Sequence, residues 1–388
     1  MPVKNRFAEL LPEITAWRRD FHAHPELLFD VHRTAARVAE LLRGFGCDEV
    51  VEGIGRTGVV GVVNGRTDTR GRRIGLRADM DALPIHEATG VDYASKVPGK
   101  MHACGHDGHT AMLLGAAKYL CETRNFDGRV VLIFQPAEEG GGGGKEMVAD
   151  GMLDRWGVQE VYGMHNMPGI PVGQFAIRPG AMMASADQFD ITVTGKGGHA
   201  ARPHDCIDTV LVAAQIVVAA QSIASRNVDP MQQVVVSICT VETDSTAHNV
   251  IPQAVKMKGT VRTMDPGVQD FVEKRLGDLV ANTAAAFGAK AEVAYKRGYP
   301  VTVNTPENTI FAAEVARAVS GQVDTDTPPL MGAEDFSFML NARPGAYIFL
   351  GNGNTAMVHH PAYNFDDSAI PFGSSWYAGM AEARMPAA

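Results

Sequence analysis

The chain has 388 residues, more than one hydrophobic core comfortably organises, so two domains are expected. Hydrophobic residues make up 45% and charged residues 20%, the balance of a globular protein and not of a disordered or fibrous one. The formal net charge of −9 excludes a basic footprint for nucleic acid or an anionic membrane. In chain order, residues 7–43 read as helical, with "RTAARVAELLRGFG" closing on glycines suited to a helix end. "TGVVGVVNG", "RRIGLRAD" and "GRVVLIFQPAEE" read as buried strands, "TAMLLGAAKYLCETR" (110–124) as a helix, and "EVYGMHN" (160–166) as a short strand. Strands alternating with helices predict an α/β sheet, whose sites gather beyond the carboxyl ends of the strands. "LRADMDALP", "FQPAEEGGGGG" and "GMHNMP" each set polar groups just there.

From about residue 186 the pattern changes. "DQFDITVTG", "QVVVSICTVET", "AVKMKGTVRT" and "AKAEVAYK" read as strands, interleaved with helices "IDTVLVAAQIVVAAQSIASR" and "PGVQDFVEKRLGDLVANTAAAFG". The order βαββαβ predicts an inserted ferredoxin-like unit over 184–297. The α/β pattern then resumes with a helix at 307–320, a strand at 346–351 and a last helix near 374–385. The expected domains are therefore 1–183 and 298–388 as one catalytic unit, with 184–297 as an insert. No apolar run reads as reaching the ~18–20 residues of a membrane span. The start "MPVKNRFAELLPEITAW" lacks the apolar stretch of a secretory signal. Five widely spaced cysteines, 47, 104, 121, 206 and 239, form no disulfide framework, which points to a reduced, cytoplasmic interior. Cys121, Cys206 and Cys239 read as inert core thiols.

Cys104 keeps different company. "MHACGHDGH" (101–109) packs three histidines, a cysteine and an aspartate into nine positions. "PAEEGG" adds Glu138 and Glu139, "GMHN" adds His165, and "VHHPAY" adds His359 and His360. Imidazole, thiolate and carboxylate together suit a borderline cation such as Zn²⁺, Mn²⁺, Co²⁺ or Ni²⁺. Alone, the first cluster also fits a structural zinc site, although closed structural sites carry several cysteines and only one lies here. Scattered histidines such as His22, His24, His32 and His86 read as ordinary core or surface residues.

"MHACGHDGHTAMLLGAA", "RADMDALP", "FQPAEEGGGGGKEMVADG", "GMHNMP", "GKGGHAARPH", "HNVIP", "GTVRT", "MGAEDFSFML" and "VHHPAYNFDD" are the segments that carry a family resemblance. Together they resemble the aminoacylase and hippurate hydrolase group of dinuclear metallo-amidohydrolases, to which plant indoleacetyl-amino-acid hydrolases also belong. The resemblance implies two divalent metals held by Cys104, His106, Glu139, His165 and His360, with Cys104 as the bridge. It implies Glu138 as the catalytic base and a catalytic domain interrupted by a lid. Asp79 and Asp81 fall where the family keeps acidic residues beside the site; related peptidases have a histidine at the first of these positions, and here it is replaced. Asp107 and His109 are expected to support the ligands. From the lid, the resemblance implies that His199 donates to the oxyanion, and that lid domains join as a two-fold dimer in which His199 of one chain completes the site of the other. Asn249 and Arg262 are expected to bind substrate, Arg262 through a planar fork on its α-carboxylate. The implied reaction is hydrolysis of N-acyl-L-amino acids, with a dipeptidase or carboxypeptidase, or an inactive metal-binding protein, as the alternatives.

Overall fold

Helices α1 (Pro2–Ala23) and α2 (His32–Phe45) replace the one helical stretch expected over 7–43. The break falls at His24–Pro25, because proline pushes the residue before it out of helical backbone. Helix α2 ends where Gly46, at φ 83°, turns its N–H back onto the carbonyls of Leu42 and Arg43. The structure is a computed structural model describing residues 2–387. It divides into two compact units: the first takes the chain up to Met182, Val303–Pro328 and everything from Asp335, the second Met183–Thr302 with Pro329–Glu334. The insert thus runs a few residues beyond 297 and recruits a short later segment.

The first unit is built on a mixed eight-stranded sheet. Strands β1 (Glu49–Ile54), β2 (Gly58–Asn64), β3 (Arg73–Asp79), β4 (Arg129–Gln135) and β5 (Glu160–Met167) join the strand Gly345–Gly351 in the order β1-β2-β4-β3-β5-Gly345–Gly351. Two short strands, Phe175–Ala176 and Val323–Asp324, complete the edge. β3 pairs in parallel with β4 and β5, while β1 and β2 run antiparallel to their neighbours. β2, β4 and β5 are buried along nearly their whole length, which is why they read as continuous apolar runs and not as alternating ones. Helix α3 (His106–Thr123) packs on α1, α2 and the last helix, Ile370–Arg384. Its Met112, Leu113, Leu114 and Leu120 are fully buried, each contributing roughly 1.5–3 kcal/mol of apolar burial. β3, β4 and β5 all release the chain at the same sheet edge.

The second unit is a four-stranded antiparallel sheet in the order Val234–Thr243, Ala254–Thr263, Ala186–Thr194, Lys290–Tyr299. This is the ferredoxin-like strand order. Phe189, Ile191 and Val193 alternate inward, as do Val255, Met257 and Val261, and helices Thr209–Ser222 and Pro266–Ala286 pack on them. Asp208 and Asp265 start those helices by accepting N–H bonds from the first turn. One expectation needs correcting here. Thr209–Asn227 spans 19 residues and is long and apolar enough, by length and composition, to cross a membrane. It belongs to this unit's core through Val212, Ala213, Ile216 and Ile223, although only 33% of it is buried.

Candidate metal centre

Three strand ends and one helix start converge. β3 runs out into Asp79 and Asp81, β4 into Glu138 and Glu139, and β5 carries His165 and Asn166 near its end. Helix α3 opens with His106, directly after Cys104 and Gly105. Gly105 sits at φ 91°, and a Cβ there would lie 2.2 Å from the Asn166 amide nitrogen, so only glycine allows this turn. Asp81 is the hub. Its backbone carbonyl accepts from His106 Nδ1 at 2.8 Å, and its carboxylate oxygens accept the N–H groups of Glu138 at 2.9 Å and Glu139 at 3.2 Å. The chain enters that pair through Ala137, held left-handed at φ 54°.

With Nδ1 committed, His106 turns Nε2 toward Asp79 Oδ2 at 3.8 Å and Glu139 Oε1 at 3.9 Å. Cys104 Sγ lies 3.3 Å from His165 Nε2, while His165 Nδ1 donates to the Asn166 carbonyl at 2.6 Å. Ligand-capable atoms lie within 4.8 Å of one another in four overlapping groups: Cys104–His106–His165, Cys104–Glu139–His359, His106–Glu138–Glu139 and Asp79–His106–His109. His106 Nε2 is buried without a hydrogen-bond partner, and such an orphaned atom is costly unless something else engages it. A cation among these donors would do so.

The protonation balance agrees. Burial, reinforced by the charges of Glu139, Glu138 and Asp79, pushes the Cys104 thiol far above its ordinary value. Burial alone would depress His106, but Asp79, Asp81 and Glu139 outweigh it and raise the imidazole to about 10. His165 goes the other way, far down, through burial and the neighbouring His109. Asp79 resists burial and stays well below the carboxylate range because His106, Arg77 and His109 surround it. Cys104 and His106 would give up these protons on ligating a divalent ion, which binds the deprotonated forms.

The sequence profile of peptidase family M20/M25/M40 matches residues 75–383. The chain belongs to this family. It is 43% identical to the hippurate hydrolase of Campylobacter jejuni over 96% of this chain and 97% of that protein. It is 40% identical to thermostable carboxypeptidase 2 of Saccharolobus solfataricus (98% and 97%) and 41% identical to N-acetyl-L-cysteine deacetylase of Bacillus subtilis (91% and 83%). Its fold matches the Bacillus subtilis YXEP protein, described as a dinuclear metal binding peptidase from the M20 family. That match has a TM-score of 0.85 and 35% identity over 97% of this chain and 99% of that one.

Within this M20 chain, the structure brings Cys104, His106, Glu139 and His165 together but not His360. The neighbouring His359 is the one that lies beside Glu139 and Cys104. At φ 68° it donates its N–H to the Ala103 carbonyl at 2.7 Å and sets Nε2 3.3 Å from Glu139 Oε1. His360 is exposed, its Nδ1 accepting from Ala362 N–H at 3.0 Å, and it joins no metal-capable group among the described residues. The left-handed residue rotates the pair by one side chain, which a sequence of two adjacent histidines does not reveal.

His109 has both ring nitrogens engaged, Nδ1 by Asp79 Oδ1 at 2.6 Å and Nε2 by Asn166 N–H at 2.9 Å. Asp107 faces away from the ligand cluster toward α1, where its Oδ2 meets His22 Nδ1 at 2.8 Å and Arg18 Nη1 at 3.3 Å. In the second unit, Val250 pairs with His199, so His199 and Asn249 share one exposed corner; Ala200 N–H donates to the Asn249 carbonyl at 3.0 Å. Arg262 lies half-buried on the strand Ala254–Thr263, donating to Thr260 Oγ1 and to the Val261 carbonyl. Sequence reasoning passed over Asn166, whose amide donates to the Cys104 carbonyl at 2.6 Å and accepts from Tyr363 at 2.5 Å. It also passed over Asp335, whose N–H donates to Glu138 Oε1 at 3.3 Å, although "GAEDF" stood among the noted segments.

Proposed function

We propose that the protein is a metal-dependent amidohydrolase that cleaves N-acyl-L-amino acids of the hippurate or N-acetyl-amino-acid kind. One observation carries the reading. A single carboxylate, Asp81, fixes the N–H groups of both Glu138 and Glu139, so one side chain can bind metal while the other stays beside it as a base. Cys104, His106, Glu139, His165 and His359 would hold two divalent cations, with Cys104 common to two of the clusters that the other four form. Cations there supply an acidified water near neutral pH and polarisation of the scissile carbonyl. Zn, Mn, Co and Ni all suit this donor set.

Glu138 takes the proton from the attacking water and delivers it to the leaving amine nitrogen. The Asp335 N–H holds Glu138 Oε1 in position for that transfer. His109 and Asp79 fix the backbone of Asn166, and Asn166 in turn fixes the Cys104 carbonyl. From the lid, His199 donates to the oxyanion and Arg262 clamps the free α-carboxylate, with Asn249 beside His199. Two lids joined across a two-fold axis fit the exposed edge strand Val234–Thr243 and the exposed Val210, Leu211 and Val218.

The carboxypeptidase relative supports a second reading, since the same machinery cuts any amide beside a carboxylate. Turnover of hippurate, N-acetylmethionine and a dipeptide panel separates the two. Acyl amino acids cleaved with the highest kcat/KM carry the proposal, and dipeptides cleaved faster carry the alternative. No turnover of either by metal-loaded protein would defeat both.

A further inference from the structure

Cys47 and Cys121 lie 74 positions apart in the chain, yet their Sγ atoms are 3.5 Å apart. Cys47 follows the glycine that ends α2, and Cys121 stands in the last turn of α3. Their approach is built in. Arg124, three residues after Cys121, donates to the Gly46 carbonyl at 2.9 Å and to Asp48 Oδ2 at 2.7 Å. It therefore grips the residue on either side of Cys47. A third bond, to the Asn64 carbonyl at 2.8 Å, anchors the same guanidinium to the end of β2.

Cys121, expected from the sequence to be a core thiol, is only partly buried, and so is Cys47; both pack on the edge of the core. Among the described residues, no other two cysteines touch. Cys104 is buried in the ligand cluster, Cys206 contacts a backbone carbonyl, and Cys239 is exposed. The pair is also polarised. Contact with Cys47 draws the Cys121 thiol below its ordinary value, and Arg124 adds to that, while Cys47 is pushed up.

We infer that Cys47 and Cys121 form a modification site, which a hydroperoxide oxidises to a disulfide tying α2 to α3. Cys121 attacks as thiolate: its sulfur bonds the terminal peroxide oxygen, the O–O bond breaks, and water or an alcohol leaves. The Cys47 sulfur then attacks the resulting sulfenic acid, forms the S–S bond and expels water. The two sulfurs supply the two electrons that reduce the peroxide, and a thiol reductant reverses the step. Closing 3.5 Å to the ~2.05 Å of a disulfide asks for a small side-chain adjustment.

The link would enclose a long segment of chain and restrict the unfolded state, so the oxidised protein should melt higher, by roughly 3–8 °C. The test uses metal-loaded wild type, Cys47→Ser and Cys121→Ser, each treated with a small excess of hydrogen peroxide. Trypsin without reductant should release peptides 44–56 and 119–124 joined and two hydrogens lighter than their sum. The joined species should vanish in both variants and on adding dithiothreitol, and the melting shift with it. Peptides that stay separate in wild type after Cys239 is fully oxidised would overturn the inference. So would a linked protein that melts no higher than the reduced one, since the thiols would then have met only after distortion.

Discussion

The two units treat their candidate residues differently. In the first, Asp79, Asp81, His106, His109, Glu138 and His165 are all buried, and each contacts a residue distant in the chain. In the second, His199 and Asn249 are exposed and Arg262 is half-buried, and the side chains of His199 and Arg262 hydrogen-bond to residues one or two positions away. A charge removed from water must be over-determined by its surroundings, whereas an exposed one can wait for its partner. The first unit is thus preorganised for chemistry, and the exposed side chains of the second are free to meet the substrate that the proposed function assigns to them. Substitutions in the first should break catalysis or metal binding, and those in the second should weaken substrate affinity.

The sharpest way to break that comparison is at the adjacent carboxylates. Glu138→Gln should keep the metals and lose ~10²–10⁴-fold in kcat, the scale of a general base. Glu139→Gln should instead lose metal, read by elemental analysis after dialysis. Exchanged phenotypes would mean that the roles are reversed. Next comes the histidine pair. His359→Asn should weaken metal binding by ~100-fold in a chelator competition, at or above the scale for a group that merely supports a ligand. His360→Asn should leave it unchanged, and equal losses would return His360 to the ligand set.

That pair also marks how far the sequence was legible. The strands, their order of appearance and the polar groups at their ends could be read because continuous apolar runs and βαββαβ alternation reflect burial directly. Cys104, His106, Glu139 and His165 could be singled out because each directly follows, or ends, such a run. The placement of His359 beside Glu139 could not be read, because it depends on a left-handed backbone angle, and nothing in "VHHPAY" announces which of two histidines adopts it. Asn166 and Asp335 were hidden for another reason: they act through a backbone carbonyl and a backbone N–H, and such bonds leave no residue-type signature. The His24–Pro25 break in the first helix was legible in principle and was outweighed by the helical pattern on both sides.

A milder effect is expected in the lid. Arg262→Ala should raise KM for acyl amino acids by ~10–100-fold, the worth of a hydrogen bond to a charged group, with kcat little changed. Amidated analogues of the same substrates lack the carboxylate and should be turned over equally by wild type and variant. Parallel losses on both would make Arg262 a structural residue of the strand and erase the contrast between the units.

The smallest effect concerns how the first unit holds the start of α3. His22 on α1 is fully buried, with Nδ1 2.8 Å from Asp107 Oδ2 and Nε2 3.2 Å from Glu87 Oε1. Arg18 shares Asp107, and the rings of Tyr93 and His102 close the remaining sides. Burial alone would lower the imidazole and Arg18 would add to that, but Asp107 and Glu87 outweigh both and raise it to about 9. The unfolded value is ~6.5, so the native state binds this proton more tightly. The stability that charged His22 contributes is therefore fully present below ~6.5 and is lost as the pH rises through about 9. Glu87, held below its ordinary value by His22 and Thr89 against the effect of burial, acts in the acid range and does not overlap this window. Urea unfolding of wild type and His22→Gln near pH 6 and pH 10 isolates the contribution, since other titrating groups are common to both proteins. The stability difference between them should be largest at the lower pH and shrink at the higher. A difference that stays constant would mean that His22 is neutral throughout and that Arg18 alone balances Asp107.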